Sequence, residues 1–123
     1  MLQSSKTFSD VTLSATGFTT TVTVTASLTE KLNQVTVNIP EVTGTSNSSG
    51  FTLTGLPKWT WPAVELSLSI PVATDDGSSV QATAAIGTDG VITLTQVVSG
   101  APEQVWTNSG TKGISATSLT WLI

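Results

Sequence analysis

The chain has 123 residues, four lysines, no arginine, eight carboxylates and a formal net charge of −4. Duplex nucleic acid is held by neutralising phosphates with Lys and Arg, so a chain with no cluster of either is read as not binding nucleic acid. With no cysteine there are no disulfide staples or thiolate metal sites, and no stretch approaches the roughly 20 apolar residues of a bilayer span, so membrane insertion is not expected.

From the N-terminus, Met1 to Asp10 carries polar Gln3, Ser4, Ser5 and Lys6 where a leader would be apolar, and the chain reads as soluble, unprocessed and folded in a reducing cytoplasm. The dominant signal from there on is alternation with period two, without apolar residues at helical spacing. Val22, Val24, Ala26 and Leu28 fall on one side of a strand, and Thr21, Thr23, Thr25 and Ser27 on the other. Val35, Val37 and Ile39 repeat the pattern across a hairpin, and Pro40, having no donor for a ladder, ends it. The stretch 1–36 reads as a Thr-rich N-terminal hairpin suited to docking.

Gly44 to Gly50 reads as a small polar loop, followed by an alternating strand at Phe51 and Leu53 that stops at Gly55, Leu56 and Pro57. Trp59 and Trp61 are two apart, so an extended backbone would put both indoles on one side. Leu66, Leu68 and Ile70 form the next strand, predicted to close at Pro71. Asp75, Asp76 and Gly77 make a turn, Val80, Ala82, Ala84 and Ile86 share a face, and Thr88, Asp89 and Gly90 turn the chain into a strand over 91–98. Asn108 to Gly113 reads as a glycine-marked loop, and Leu119 and Trp121 oppose Thr120 and Leu122 in a last strand. The sum is a single domain over 1–123, all-β, an antiparallel β-sandwich of jelly-roll or immunoglobulin-like type with about seven to nine short strands.

His, Cys, Tyr and Arg are all missing. A Ser-His-Asp triad cannot be built without an imidazole, and zinc would lack its usual nitrogen and sulfur ligands. A carboxylate pair or a Ser-Lys arrangement remains, yet Asp75, Asp76 and Asp89 sit where turn chemistry calls for them, and Glu30 stands beside Lys31. Their spacing matches no calcium loop. Neither enzymatic activity nor a cofactor is expected. Trp59 and Trp61 could form a platform that stacks on sugar rings, but tryptophan is also enriched in cores and at interfaces, which is the preferred reading. Trp106 and Trp121 are read as core. Asn47, Ser48 and Ser49 match the glycosylation pattern, as chance allows in a chain about one-third Ser and Thr.

Three stretches carry more than composition: "VTGTSNSSGFTLTGLP" (Val42 to Pro57), "TDDGSSVQATAAIGTDGVITLT" (Thr74 to Thr95), and "SGTKGI" followed by "SLTWLI" (Ser109 to Ile123). In this order they resemble the C-terminal β-domain of bacteriophage tail-fibre and decoration-type virion surface proteins, with "KWTWPA" (Lys58 to Ala63) departing from the usual, less aromatic segment. The resemblance implies a protein on the virion exterior, forming a homotrimer and contacting the major capsid protein or other virion proteins, or else a host surface glycan. The resemblance covers about two-thirds of the chain, from Val37 onward, so only about 36 residues precede it, and a capsid decoration (cement) protein or head fibre is expected ahead of a tail-fibre tip or carbohydrate-binding module. The contacts expected are Leu56, Lys58, Trp59 and Trp61, with Asn47, Asn108 and Lys112 in exposed loops.

Overall fold

The computed structural model describes residues 6–98 and 101–123, and the polar start at Gln3, Ser4 and Ser5 lies outside them. Among the described residues, the strands are β1 (Lys6–Thr16), β2 (Val22–Lys31), β3 (Gln34–Ile39), β4 (Val42–Thr45), β5 (Thr52–Thr54), β6 (Leu66–Asp75), β7 (Ser78–Ile86), β8 (Ile92–Val98), β9 (Ala101–Gln104), β10 (Thr111–Ile114) and β11 (Thr117–Leu122). The helical element is a single 3-10 turn, Lys58–Thr60. All pairings are antiparallel, in the order β11-β3-β2-β1-β5-β8-β7-β6-β10-β4, with β9 against β8. This one sheet curls into a half-barrel, so the all-β, sandwich-like expectation holds. Eleven strands exceed the expected seven to nine: β4, β9 and β10, of four residues each, are too short to show alternation, and β1 lies over a stretch where no strand is read from the sequence. Gly44, Thr45 and Thr111 to Gly113, assigned to loops from the sequence, belong to β4 and β10.

The curl follows from side-chain alternation, which gives each strand one apolar row. Leu13, Ala26, Leu28, Val35, Val37 and Leu119 from one half of the sheet meet Ile70, Ala82, Ala84, Ile86 and Leu94 from the other, all buried. The far edge returns to the loop between β1 and β2. Thr19 N–H donates to Thr45 O at 2.9 Å and Asn47 N–H to Gly17 O at 3.1 Å, while Phe18 bridges to Ser46. Gly17 is required at that corner, since it holds φ 97° and a Cβ there would lie 2.2 Å from Gly50 O.

Pro71 does not end its strand. β6 continues to Asp75 through a register shift between Ile70 and Ala73, and at a bulge proline's missing N–H breaks no ladder bond. A second bulge interrupts β1 between Phe8 and Val11 and leaves Asp10 outside the regular register. The β2–β3 turn places Leu32 at φ 54° and Asn33 at φ 64°. Paired left-handed residues suit a two-residue hairpin, but leucine is a poor occupant of that region.

Candidate functional site

Residues 55–62 leave the sheet between β5 and β6. Thr60 N–H and Thr60 Oγ1 both donate to Pro57 O, at 2.9 and 2.6 Å, and Trp61 N–H donates to Lys58 O at 3.1 Å. At three residues per turn, side chains two apart diverge by about 120°, so the shared indole platform expected of an extended Trp59 and Trp61 does not form. Trp59 is exposed, at 39 %. Trp61 is half-buried against the core, its Nε1 donating to Leu56 O at 2.9 Å and its ring filling the space over Gly90. Trp121 Nε1 donates to Thr60 O at 2.7 Å, which ties the turn to the last strand.

Two of the residues expected as surface contacts lie inside. Leu56 is 5 % exposed because the chain turns it under the 3-10 turn into the core. Lys112 is fully buried on β10, where its ammonium donates to Gly50 O at 2.7 Å and Ser48 O at 3.1 Å. It also lies 4.9 Å from the Phe18 ring centroid and 5.4 Å from that of Phe51, within cation–π range. Burial lowers its pKa below the ordinary lysine value, and the Asp75 carboxylate pulls in the opposite direction. Lys112 is therefore a fastener that holds the 48–50 loop to the sheet.

Asp75 is likewise structural. Its carboxylate accepts from Thr107 N–H at 2.8 Å, Thr107 Oγ1 at 2.8 Å and Gln96 Nε2 at 3.1 Å. Gln96 also donates to Val105 O, and Trp106 Nε1 to Leu94 O, so the segment that follows β9 is sewn onto β8. Among the described residues no group of three or more carboxylates could hold a metal ion. Lys58, Asn47 and Asn108 are exposed or partly so, but Lys58 stands on the 3-10 turn while Asn47 and Asn108 stand on loops at the β4 and β10 corner, so the three are not gathered on one element.

Two surface depressions are instead built by the sheet. The first is apolar. β11 pairs with β3 alone and the Leu66–Ile70 half of β6 with β7, and between these open edges lies a cleft lined by Pro62, Val64, Leu66, Leu68, Trp121 and Leu122. Val64 and Leu122 are among the most exposed large apolar residues, at 74 % and 70 %.

The second depression is polar and crosses four strands. Ser27 on β2 stands opposite Asn38 on β3, and Asn38 opposite Ser118 on β11. The β1 bulge adds Asp10 at the other end, and Pro40 and Ala116 flank the groove. Ser118 Oγ donates to Asn38 Oδ1, and Asn38 Nδ2 to Ser27 Oγ at 3.3 Å. None of these residues stood out in the sequence, where Ser27, Asn38 and Ser118 are polar members of strands and Asp10 ends the polar start. Only the cross-strand register brings positions 10, 27, 38 and 118 into line.

No protein-family model and no curated protein matches this chain. Among solved structures it is similar to the attachment protein sigma1 of a reovirus, solved in complex with alpha-2,3-sialyllactose, with a TM-score of 0.61 and 11 % sequence identity. The match covers 96 % of this chain and 66 % of that one, so the chain spans slightly less than two thirds of its length. At this identity the likeness is one of fold alone.

Proposed function

We propose that the protein is a non-enzymatic adhesion module displayed on the outside of a virus particle, acting as the receptor-binding head of a fibre. The observation that carries this reading is the fold, similar over nearly the whole chain to a viral attachment protein captured with a glycan. The chemistry agrees with it. A chain without His, Cys, Tyr or Arg, whose partly buried Asp75 and fully buried Lys112 are engaged in fastening loops, acts by contact, and its depressions lie on rigid strand faces suited to holding a partner. The resemblance of the Val42–Pro57, Thr74–Thr95 and Ser109–Ile123 stretches to phage fibre domains supports a phage particle and a homotrimer. The test is direct: fluorescently labelled protein is expected to bind susceptible host cells and to compete with virus attachment. Failure of both would remove the reading.

The apolar cleft between β6 and β11 favours a second reading, a decoration protein seated on the capsid through protein–protein contact. That reading expects immunogold label over the shell and particles that lose heat resistance without the protein. Label confined to a fibre tip would exclude it.

A further inference from the structure

The polar groove across β1, β2, β3 and β11 has a hydrogen-bonding pattern that selects a class of ligand. Its central amide is spoken for on both sides, since Ser118 Oγ donates to Asn38 Oδ1 and Asn38 Nδ2 donates to Ser27 Oγ. With its lone pair so engaged, the Ser27 hydroxyl has its proton to offer outward, Asn38 keeps a second N–H, and Ser118 and Asp10 offer acceptor oxygens. Turning the amide over would exchange the two serines' roles and leave this inventory unchanged. A row with fixed donors at its centre and acceptors at its two ends matches neighbouring hydroxyls of a pyranose, each of which both donates and accepts. The row extends over three strand spacings, about 14 Å, the scale of a short oligosaccharide. Pro40 and Ala116 supply a low apolar border for the C–H faces of a ring.

Charge decides which oligosaccharide. An anionic sugar needs a cation or a group of free donors, yet among the described residues this groove carries the Asp10 carboxylate and no lysine. Lys112 is buried. Lys31 lies on the same strand as Ser27, four residues further on and about 13 Å away. The chain as a whole carries −4, so its field also repels anions. The β1 bulge strengthens the assignment, because it takes Asp10 out of the regular register at the end of a row that otherwise consists of uncharged side chains.

We infer that the groove formed by Asp10, Ser27, Asn38 and Ser118 is a binding site for a neutral glycan, and that it excludes sialylated and uronic-acid-bearing sugars. This rests on the adhesion reading above and gives that surface its ligand class. The test applies the purified 123-residue chain to an array of neutral mannose-, glucose-, galactose- and N-acetylhexosamine-terminated oligosaccharides beside acidic counterparts, including the pair lactose and alpha-2,3-sialyllactose. The expected result is binding confined to neutral glycans, weakened roughly tenfold by Asp10→Asn, the loss of one charge-assisted hydrogen bond, and by more than that in the Asn38→Ala, Ser118→Ala double variant. Asp10→Lys is expected to shift the preference toward acidic members. Asp10, Asn38 and Ser118 are all exposed, so unchanged thermal midpoints are expected to show that these variants fold. Preference for acidic glycans, indifference of neutral binding to these substitutions, or an array with no binding at all overturns the inference. If labelled protein still attaches to host cells in any of those cases, the adhesion reading stands and only the ligand class or its place has failed; if attachment to cells is also lost, both fall.

Discussion

Lys112 offers the sharpest quantitative test of the packing. Its ammonium is fully buried, bonded to the Ser48 and Gly50 carbonyls and placed beside two phenyl rings. Replacing it with methionine keeps a long, flexible side chain but strips two carbonyls of their donor, at about 1–3 kcal/mol for each that stays dry. Relief from burying a charge offsets part of that loss. The net expectation for Lys112→Met at neutral pH is a destabilisation of about 2 kcal/mol, or roughly 6–8 °C in thermal midpoint for a chain of this size. The pH dependence is more diagnostic. Burial lowers the folded-state pKa below the ordinary value of 10.5, so between the folded and unfolded values the unfolded chain binds more protons and stability rises with pH. Below that interval the cost of burying the ammonium is present in full, and above it the cost is gone. The slope can reach about 1.4 kcal/mol per pH unit for one proton. Urea unfolding followed by tryptophan emission from about pH 7 to pH 11 would measure it, with no tyrosine or cysteine to ionise in the window. Trp106, whose ring lies 5.3 Å from that of Phe51, reports from beside the site. The wild type's advantage over Lys112→Met is expected to grow across the window; an advantage that stays level or shrinks would refute the assignment of burial as the dominant cause.

Gly90→Ala is expected to cost about 2–3 kcal/mol, because Gly90 sits at φ 79° and an added Cβ would fall 2.1 Å from Trp61 Nε1; a thermal melt with an unchanged midpoint would contradict this. Asp75→Asn preserves shape but sets an amide where three donors converge, so about 2 kcal/mol should be lost, together with the protection of the Thr107 amide against hydrogen exchange. In the opposite direction, Leu32→Asn should stabilise by about 0.5–1 kcal/mol, measured as a rise in urea midpoint, since asparagine tolerates the left-handed conformation held there at φ 54° and Leu32 is 55 % exposed. Val64→Ser with Leu122→Ser should leave stability within about 0.5 kcal/mol while reducing co-sedimentation with capsid shells, the contact that the decoration reading assigns to the apolar cleft.

The strands were legible where alternation ran long enough to average out exceptions. Val22 to Leu28 and Val80 to Ile86 put their apolar residues inward as their spacing requires, and Trp106 and Trp121, read as core, are buried with their indole N–H groups paired. Local rules failed where tertiary structure supplied a partner that the rule assumed absent. Proline should end a strand for want of an N–H, but a bulge at Pro71 removes the need for one. Lysine should be solvated, but at Lys112 two carbonyls and two aromatic rings replace water. Two tryptophans two apart should share a side only if the chain is extended, and the hydrogen bonds accepted by Pro57 O and Lys58 O wind it into a turn.

The groove proposed to bind glycan was illegible for a different reason, which bears on how such modules work. In a chain about one-third Ser and Thr, many outward strand positions offer a hydroxyl, and some are closed off by a neighbour, as Thr36 and Thr120 bond each other. A binding row emerges only where register lines up side chains that fix one another's orientation, as Asn38 does for Ser27 and Ser118, and where a bulge adds a charge that the pattern alone would not place there. Register is set by the inward apolar residues, since slipping β3 by one position would turn Val35, Val37 and Ile39 out to solvent. The outer face is therefore held in place by the core, and its residues can change without endangering the fold. A module built this way can vary what it recognises while its strands stay as they are, which suits a surface whose task is attachment.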